Sequence, residues 1–121
     1  MKLEILSGEF TVCKVTSASD LDLRAGFCFI GKTDAEISLV CLTADTPART
    51  TAREDGWKGF RIQGILDFSL VGILSELSGL LAKNRIGIFA VSTYNTDYIF
   101  VKSGHFAQAM RVLSDAGYEI A

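Results

Sequence analysis

Polar side chains are concentrated in one short segment near the C-terminal end of the sequence. Residues 92–97 read Ser-Thr-Tyr-Asn-Thr-Asp and separate two apolar runs, IFAV and YIFV. Such runs predict two strands joined by a hairpin, which can turn through as few as two residues. Hydroxyl groups and a carboxylate could also bind the ammonium or guanidinium group of a small molecule. The candidate ligand-binding residues of this segment are Ser92, Thr93 and Asp97.

The hairpin itself offers a second interpretation of the same residues. Asn95 and Thr96 are assigned to the turn, because Asn tolerates left-handed backbone angles. Asp97 either binds a ligand or is a turn carboxylate that accepts hydrogen bonds from nearby N–H groups. In the first case Asp97 and Ser92 face a pocket, and in the second they hydrogen-bond within their own hairpin.

A second candidate segment precedes an apolar helical pattern. Backbone N–H groups at a helix N-terminus form an anion site, and Gly72 would let a carboxylate approach closely. Asp67 could supply a carboxylate to the ligand, or it could be the N-cap of the helix, a role also open to Ser69. The candidate residues of this segment are Asp67, Phe68, Ser69, Leu70, Val71 and Gly72.

The elements around these segments can be predicted from hydrophobic periodicity. Apolar residues at three-and-four spacing predict one helix from Leu70 to Asn84 and a second helix after Ser103 that stops at Gly117. Alternating patterns predict strands over residues 59–66, 86–91 and 97–102, and a last strand in YEI at residues 118–120. The resulting order of strand, helix, strand, strand, helix, strand is ferredoxin-like, an α+β fold in which both helices cover one face of an antiparallel sheet. This topology places the loop at 67–72 and the hairpin at 92–97 at the same end of the sheet.

The N-terminal half reads mainly as strands. LEIL and EFTVCKV flank Ser7 and Gly8, which predicts a two-residue hairpin. FCFIGK and EISLVCL predict a second pair of strands with a short turn between them. Pro47 predicts the start of a short helix that continues through ARTTARED and closes at Gly56.

Composition excludes several classes of function. The chain has 121 residues, 49% of them hydrophobic, so it can bury a core. Its net charge of -2, with scattered Lys and Arg residues, argues against nucleic acid and anionic membranes as partners. It lacks a long apolar run or a signal-like N-terminus, so we expect a cytoplasmic protein. The three cysteines, Cys13, Cys28 and Cys41, form no CxxC pair and are interpreted as separate buried thiols, and no metal or cofactor is expected.

One stretch of the sequence resembles a known family. LDFSLVGILSELSGLLAKNRIGIFAVSTYNTDYIFV is similar to the ACT domain, whose first strand leads into an Asp-x-x-Gly-x-Leu type of loop. Asp67, Gly72 and Leu74 stand in that region, with a longer spacing between Asp and Gly than in the commonest form. GWKGFRIQG and FCFIGKTDAEISLVC extend the resemblance to small bacterial tandem-ACT proteins and CASTOR-type arginine sensors. It implies two ACT-like units, a reduced one at residues 1–57 and a complete one at residues 58–121, the first having a turn two residues shorter.

The resemblance also implies a function. ACT domains bind amino acids or other small metabolites, which predicts a non-catalytic regulatory module, an amino-acid ligand that by analogy is arginine-like, a homodimer and a separate effector protein. An enzyme is not expected, because no nucleophile is paired with a base and His105 has no metal-ligand partner at the required spacing. The alternative is a protein-protein interaction or dimerisation module that binds no ligand, with exposed sheet edges pairing between chains.

Overall fold

The computed structural model describes residues 1–63 and 72–121. These residues form two compact units, one made of residues 8–57 and the other of residues 1–7 together with residues 58–121. We call them the N-terminal unit and the C-terminal unit. The described elements are β1 (Lys2–Ile5), β2 (Phe10–Val15), β3 (Cys28–Lys32), β4 (Ile37–Leu42), β5 (Ala52–Ile62), α1 (Ile73–Lys83), β6 (Ile88–Ser92), β7 (Asp97–Lys102), α2 (Phe106–Asp115) and β8 (Glu119–Ile120).

The bounds of the compact units differ from those of the predicted domains at 1–57 and 58–121, which stay a prediction. The chain passes from one unit to the other between residues 57 and 58, within β5. Residues 1–7, which the prediction assigned to the first domain, pack instead with residues 58–121. The reason is long-range strand pairing, because β1 pairs antiparallel with the second half of β5 and parallel with β8.

The C-terminal unit has the predicted order of elements, from β5 through α1, β6, β7 and α2 to β8. The two helices are in contact with each other and cover one face of the sheet. Burial of the apolar stripe of each helix against the strands holds this layer together, at about 1.5–3 kcal/mol for each fully buried aliphatic side chain. The buried residues of this core are Leu3, Phe60, Ile62, Leu77, Leu81, Ile86, Ile99, Val101, Phe106, Ala109 and Leu113.

The sheet of this unit departs from the ferredoxin-like pattern at one position. In the standard fold the last strand lies beside the first, whereas here β1 is inserted between β5 and β8. Leu3 of β1 is fully buried in the core. We predicted a hairpin between β1 and β2 through Ser7 and Gly8, and this is wrong, because β2 pairs with β4 and with the first half of β5.

Gly59 in β5 allows a close approach within the same sheet. A Cβ atom at this position would lie 2.7 Å from two ring carbons of Phe100. The Phe100 ring therefore occupies the space over β5 that a larger residue would fill, and it stacks on Phe89 with a centroid distance of 4.8 Å. This aromatic pair lies on the face of the sheet opposite the helices, since its neighbours Ile99 and Val101 belong to the helix-covered core.

The N-terminal unit contains the strand order β3, β4, β2 and the first half of β5, with all pairs antiparallel. The helix that we predicted from Pro47 through residue 55 is wrong. Residues 52–55 belong to β5, where Arg53 pairs with Cys13 and Glu54 pairs with Val12. The polar composition of this stretch reflects an exposed strand rather than a poorly buried helix, and pairing with β2 overrides its weak helical signal.

The β3–β4 and β6–β7 hairpins are built alike. The first and last residues of β3 and β4 each differ by 60 in residue number from those of β6 and β7. A 3-10 helix follows each hairpin, at residues 43–45 and 103–105. In both turns the first Thr donates its N–H to the carbonyl oxygen three residues on, at 2.9 Å in each case. Both loops contain four residues, so the prediction of a shorter turn in the first hairpin is wrong.

Candidate functional site

The predicted ligand-binding residues of the β6–β7 hairpin lie at its closed end. Ser92 and Asp97 face each other as the last strand pair, and the Ser92 hydroxyl donates to Asp97 Oδ1 at 2.6 Å. Thr93 donates from its N–H and from Oγ1 to the carbonyl oxygen of Thr96, at 2.9 and 3.0 Å. These hydrogen bonds are the ones expected if the residues only build the turn. Asp97 Oδ2 still has acceptor capacity, because a carboxylate has about four lone-pair sites on its two oxygens.

Thr96 fixes the position of this hairpin relative to β5. Its side chain is buried, with 6% of the residue surface exposed, and Oγ1 donates to the carbonyl oxygen of Ile62 at 2.7 Å. Ile62 is the last residue of β5, so the turn lies at the end of the strand from which the chain continues toward residue 64. The sequence assigned Thr96 to the turn alone. Its anchoring role has no local sequence signal, because the acceptor lies 34 residues away.

The second predicted segment is described only at its last residue. Gly72 has a φ of 88°, is exposed, and directly precedes α1, and its carbonyl oxygen accepts from Glu76 N–H at 2.8 Å. The left-handed φ explains why glycine suits this position. The amide groups of the first turn of α1 have no partners within the helix and can bind an anion. The predictions for Asp67, Phe68, Ser69, Leu70 and Val71 lie outside the described residues.

A small open cavity lies beside the start of α1. Its volume is about 260 Å³, and it is lined by Met1, Ile73, Glu76, Ala116, Gly117 and Tyr118. Met1 lies at the same end of the sheet as the hairpin turn, because Gln63 N–H, next to Ile62, donates to the Lys2 carbonyl at 2.9 Å. The β6–β7 turn, the start of α1 and this cavity are therefore grouped at the end of the C-terminal unit where β5 ends.

Tyr118 and Glu76 form the polar contact in the wall of the cavity. The Tyr118 hydroxyl donates to Glu76 Oε1 at 2.6 Å. Burial raises the pKa of Tyr118 to about 12, and the hydrogen bond to the Glu76 carboxylate adds to this effect. Tyr118 is therefore a neutral donor at physiological pH, and it holds one oxygen of Glu76 while the other can accept from a ligand. Neither residue was singled out from the sequence, because 42 positions separate them.

Arg61 forms an ion pair on the sheet face opposite the helices. Its Nε donates to Glu4 Oε1 at 2.9 Å and its Nη1 donates to the Tyr98 hydroxyl at 3.3 Å. The hydrogen bond from Arg61 holds the pKa of Glu4 below its usual range, and the same contact raises the pKa of Arg61. The guanidinium is thus occupied by a partner on β1, and we do not assign it to the ligand site.

Within residues 1–63 and 72–121, no group of three or more His, Cys, Asp or Glu side chains is arranged to hold a metal ion. No helix in the same ranges has the length and apolar character that crossing a membrane requires.

Comparison with known proteins identifies the family. The model of the ACT domain matches residues 52–115, which include β5, both helices and the β6–β7 hairpin. The chain belongs to the ACT domain family. The resemblance seen in the sequence is thus confirmed for the family, and the match covers most of the ACT domain that we predicted at residues 58–121.

Solved structures support the ACT fold over nearly the whole chain. The crystal structure of protein Atu0741 from Agobacterium tumefaciens is 32% identical to this ACT protein and matches 99% of it and 91% of Atu0741, with a TM-score of 0.86. Aspartate kinase from Clostridium acetobutylicum is 13% identical and matches 91% of this chain but 33% of the kinase, with a TM-score of 0.66. A candidate C-terminal regulatory domain of aspartate kinase from Porphyromonas gingivalis is 14% identical, with coverages of 93% and 92% and a TM-score of 0.55. Among curated proteins, no sequence matches this chain.

Proposed function

We propose that this ACT protein is a non-catalytic regulatory module that binds an amino acid at the end of the C-terminal unit where β5 ends. The observation that carries the proposal is the hydrogen bond from Thr96 to Ile62, which fixes the β6–β7 turn beside the end of β5. Ser92, Thr93 and Asp97 are then held at the same end of the unit as Ile62, the last residue of β5. The predicted residues Asp67, Phe68, Ser69, Leu70 and Val71 would complete the wall of the site.

The chemistry of this end suits a zwitterionic ligand. An α-carboxylate would bind amide groups of the first turn of α1, where the helix dipole also favours negative charge. An α-ammonium would bind a carboxylate oxygen of Glu76 or Asp97, since each has one oxygen that accepts a hydroxyl and a second that can accept from a ligand. The cavity of about 260 Å³ is smaller than the roughly 300–1,000 Å³ typical of drug-sized ligands, which favours a single small metabolite.

Two carboxylates near the site favour a ligand with a second cationic group. This agrees with the arginine-like ligand implied by the resemblance to CASTOR-type sensors. The structurally similar aspartate kinase is described as an allosteric enzyme, which supports a regulatory role by analogy of fold. We propose that the regulated activity lies in a separate effector protein in the cytoplasm.

The likeness of the two hairpins supports a tandem origin. β3 and β4 repeat the lengths, register and four-residue turn of β6 and β7, and the same 3-10 helix follows. The N-terminal unit would then be a reduced ACT-like copy in which residues 16–27 stand where the first helix would be. In that interpretation the first half of β5 takes the place of the closing strand beside β2.

The alternative is an interaction module that binds no ligand. The hydrogen bond between Ser92 and Asp97 within the hairpin favours it, because these side chains are already partnered in the free protein. Among the described strands β6 pairs with β7 alone, so its other edge can pair with a second chain. Both interpretations are compatible with a homodimer, so oligomeric state does not separate them.

A thermal-shift screen against the proteinogenic amino acids at millimolar concentration tests the proposal. A ligand that binds only the folded state raises the melting temperature by mass action, by an amount that grows with its concentration over Kd. We expect a shift for one or a few amino acids, among them a basic one. The shift should be lost in Asp97→Ala and Glu76→Gln, because both remove a carboxylate from the site.

Asp34→Ala is the matched control, since Asp34 is an exposed aspartate in the turn of the equivalent β3–β4 hairpin. It should retain the shift. If no amino acid raises the melting temperature, the amino-acid site is wrong and the ligand-free module is favoured. If a shift appears but persists in both carboxylate variants, a ligand binds elsewhere in the protein.

A further inference from the structure

The three cysteines, far apart in sequence, lie on one face of the N-terminal unit. Cys13 and Cys41 are buried, with 3% and 1% of their surface exposed, and Cys28 is half-buried beside them. They pack with Leu21 and Leu39 in a single apolar cluster. The prediction of buried free thiols is confirmed for Cys13 and Cys41, whereas Cys28 is half-buried. The predicted β3–β4 hairpin brings Cys28 to Cys41, and the pairing of β2 with β4, which the sequence did not predict, adds Cys13.

The β3–β4 ladder places Cys28 and Cys41 directly opposite each other. The type of pair follows from the turn, where Thr33 N–H bonds to the Glu36 carbonyl. Hydrogen-bonded and non-hydrogen-bonded pairs alternate along an antiparallel ladder, and the register is continuous from this turn to Cys28. Counting back from the turn, Cys28 and Cys41 form a non-hydrogen-bonded pair.

This pair type has the geometry that a disulfide needs. Opposite residues in a non-hydrogen-bonded pair have Cα atoms about 4.5 Å apart and side chains that lie close together on the same face. Disulfides span Cα separations of about 4.4–6.8 Å. Cys28 and Cys41 can therefore be joined without a change in strand register.

Cys13 does not have this geometry. Its opposite residue in β4 is Leu39, so Cys13 is diagonal to Cys41, and diagonal neighbours are about 7–8 Å apart. Cys13 and Cys28 lie on strands that are separated by β4. A bond from Cys13 to either of the other two cysteines would require the backbone to move.

We propose that Cys28 and Cys41 are a redox-active pair that forms an intramolecular disulfide when the protein reacts with a peroxide. The thiolate of Cys28 attacks one peroxide oxygen, forming a sulfenic acid and releasing hydroxide or water. The thiolate of Cys41 then attacks the Cys28 sulfur and forms the S–S bond. The hydroxyl group of the sulfenic acid leaves and is released as water. Two thiols lose two electrons and two protons, and one hydrogen peroxide is reduced to two waters.

Solvent exposure assigns Cys28 as the thiol that reacts with peroxide and Cys41 as the thiol that forms the disulfide. Cys28 lies on β3, which is the outer strand of this unit and pairs with β4 alone among the described strands, and it is the most exposed of the three thiols. Burial raises the pKa of both Cys28 and Cys41, and the nearby carboxylates of Asp22 and Asp45 act in the same direction. A raised pKa lowers the thiolate fraction at neutral pH, so we expect a slow reaction with peroxide.

The disulfide would join β3 to β4 covalently and close a loop that contains the turn of this hairpin. A link that closes a loop of this length stabilises a protein mainly by restricting its unfolded state. We expect the oxidised protein to have an apparent melting temperature about 5–10 °C above that of the reduced protein.

The experiment treats the full-length protein with hydrogen peroxide, blocks the remaining thiols by alkylation and digests it with trypsin without reduction. The sequence makes the result specific, because each cysteine lies in a different tryptic peptide, at residues 3–14, 25–32 and 33–49. We expect one linked species that joins peptides 25–32 and 33–49, loss of this species after reduction, and an alkylated Cys13. The stabilisation should appear only in the oxidised sample.

The variants separate the pair from the third thiol. Cys13→Ala should still form the link and show the higher melting temperature, whereas Cys28→Ser should show neither. A link that involves peptide 3–14, a link between two protein molecules, or thiols that are unchanged or oxidised to sulfinic acid without a link would each overturn the proposal. So would a stabilisation that persists in Cys28→Ser.

Discussion

The hydroxyl group of Thr96 is a buried donor whose loss can be measured. It donates to the Ile62 carbonyl at 2.7 Å, and Thr96→Val would keep the shape of the side chain while leaving that carbonyl oxygen without this donor. An unsatisfied buried polar group costs about 1–3 kcal/mol. We expect the free energy of unfolding from urea titration to fall by about this amount, together with weaker ligand binding if the turn forms part of the site.

Thr16→Val is the control for this substitution. Thr16 is exposed, so the same chemical change should alter the free energy of unfolding by no more than about 0.5 kcal/mol. Equal losses in the two variants would mean that the Thr96 bond does not hold the hairpin to β5.

Residues of the candidate site were predictable where the relevant contacts are local. The pairing of Ser92 with Asp97 follows from the hairpin pattern alone, because both residues flank the turn. Thr96, Glu76 and Tyr118 could not be recognised, since their partners lie 34 or 42 positions away and only the fold brings them together. The predicted β3–β4 hairpin brings Cys28 near Cys41, but the sequence pattern does not fix the register that places the two residues opposite each other.

At the level of elements, the contact between Tyr118 and Glu76 links α1 to the segment that follows α2. Burial and this hydrogen bond raise the pKa of Tyr118 in the folded protein to about 12, against an ordinary value of 10.0. A raised pKa means that the folded state favours the neutral hydroxyl. Its contribution to stability is therefore complete below about pH 10 and is lost as the pH rises from about 10 to 12.

A spectrophotometric titration of tyrosinate checks this prediction. The protein has three tyrosines, and we expect Tyr118→Phe to remove the absorbance step centred near pH 12. Tyr94→Phe is the control, because Tyr94 is 82% exposed, and the late step should remain in that variant. A late step that survives in Tyr118→Phe would show that the link between α1 and the chain after α2 is not formed.

Helices and strands with a regular spacing of apolar residues were predicted more accurately than those without one. α1 and α2 have apolar residues at helical spacing, and both were predicted close to their observed bounds. The segment from Pro47 to residue 55 has no strong period, and its pairing with β2 decided its structure. The position of β1 depends entirely on strands near the other end of the chain, so no local pattern could reveal it.

At the level of the whole molecule, the family match and the compact units do not coincide. The ACT match covers residues 52–115, whereas the C-terminal unit also needs residues 1–7. β1 lies between β5 and β8, and its fully buried Leu3 belongs to the core. Removal of β1 would leave the hydrogen-bonding groups on one edge of β5 unpaired and detach β8 from the sheet.

We therefore predict that a fragment of residues 58–121 does not fold cooperatively, whereas a chain that retains β1 does. The second chain joins Leu6 to Gly59 through Asn-Gly, because these two residues form a hydrogen-bonded pair of the antiparallel β1–β5 ladder, with Leu6 N–H donating to the Gly59 carbonyl at 3.0 Å. A two-residue turn closes a pair of this type. Circular dichroism during urea and thermal unfolding measures cooperativity in both chains. A cooperative transition in the fragment without β1 would contradict the structural role of that strand, and the absence of one in the joined chain would show that the C-terminal unit requires residues 8–57.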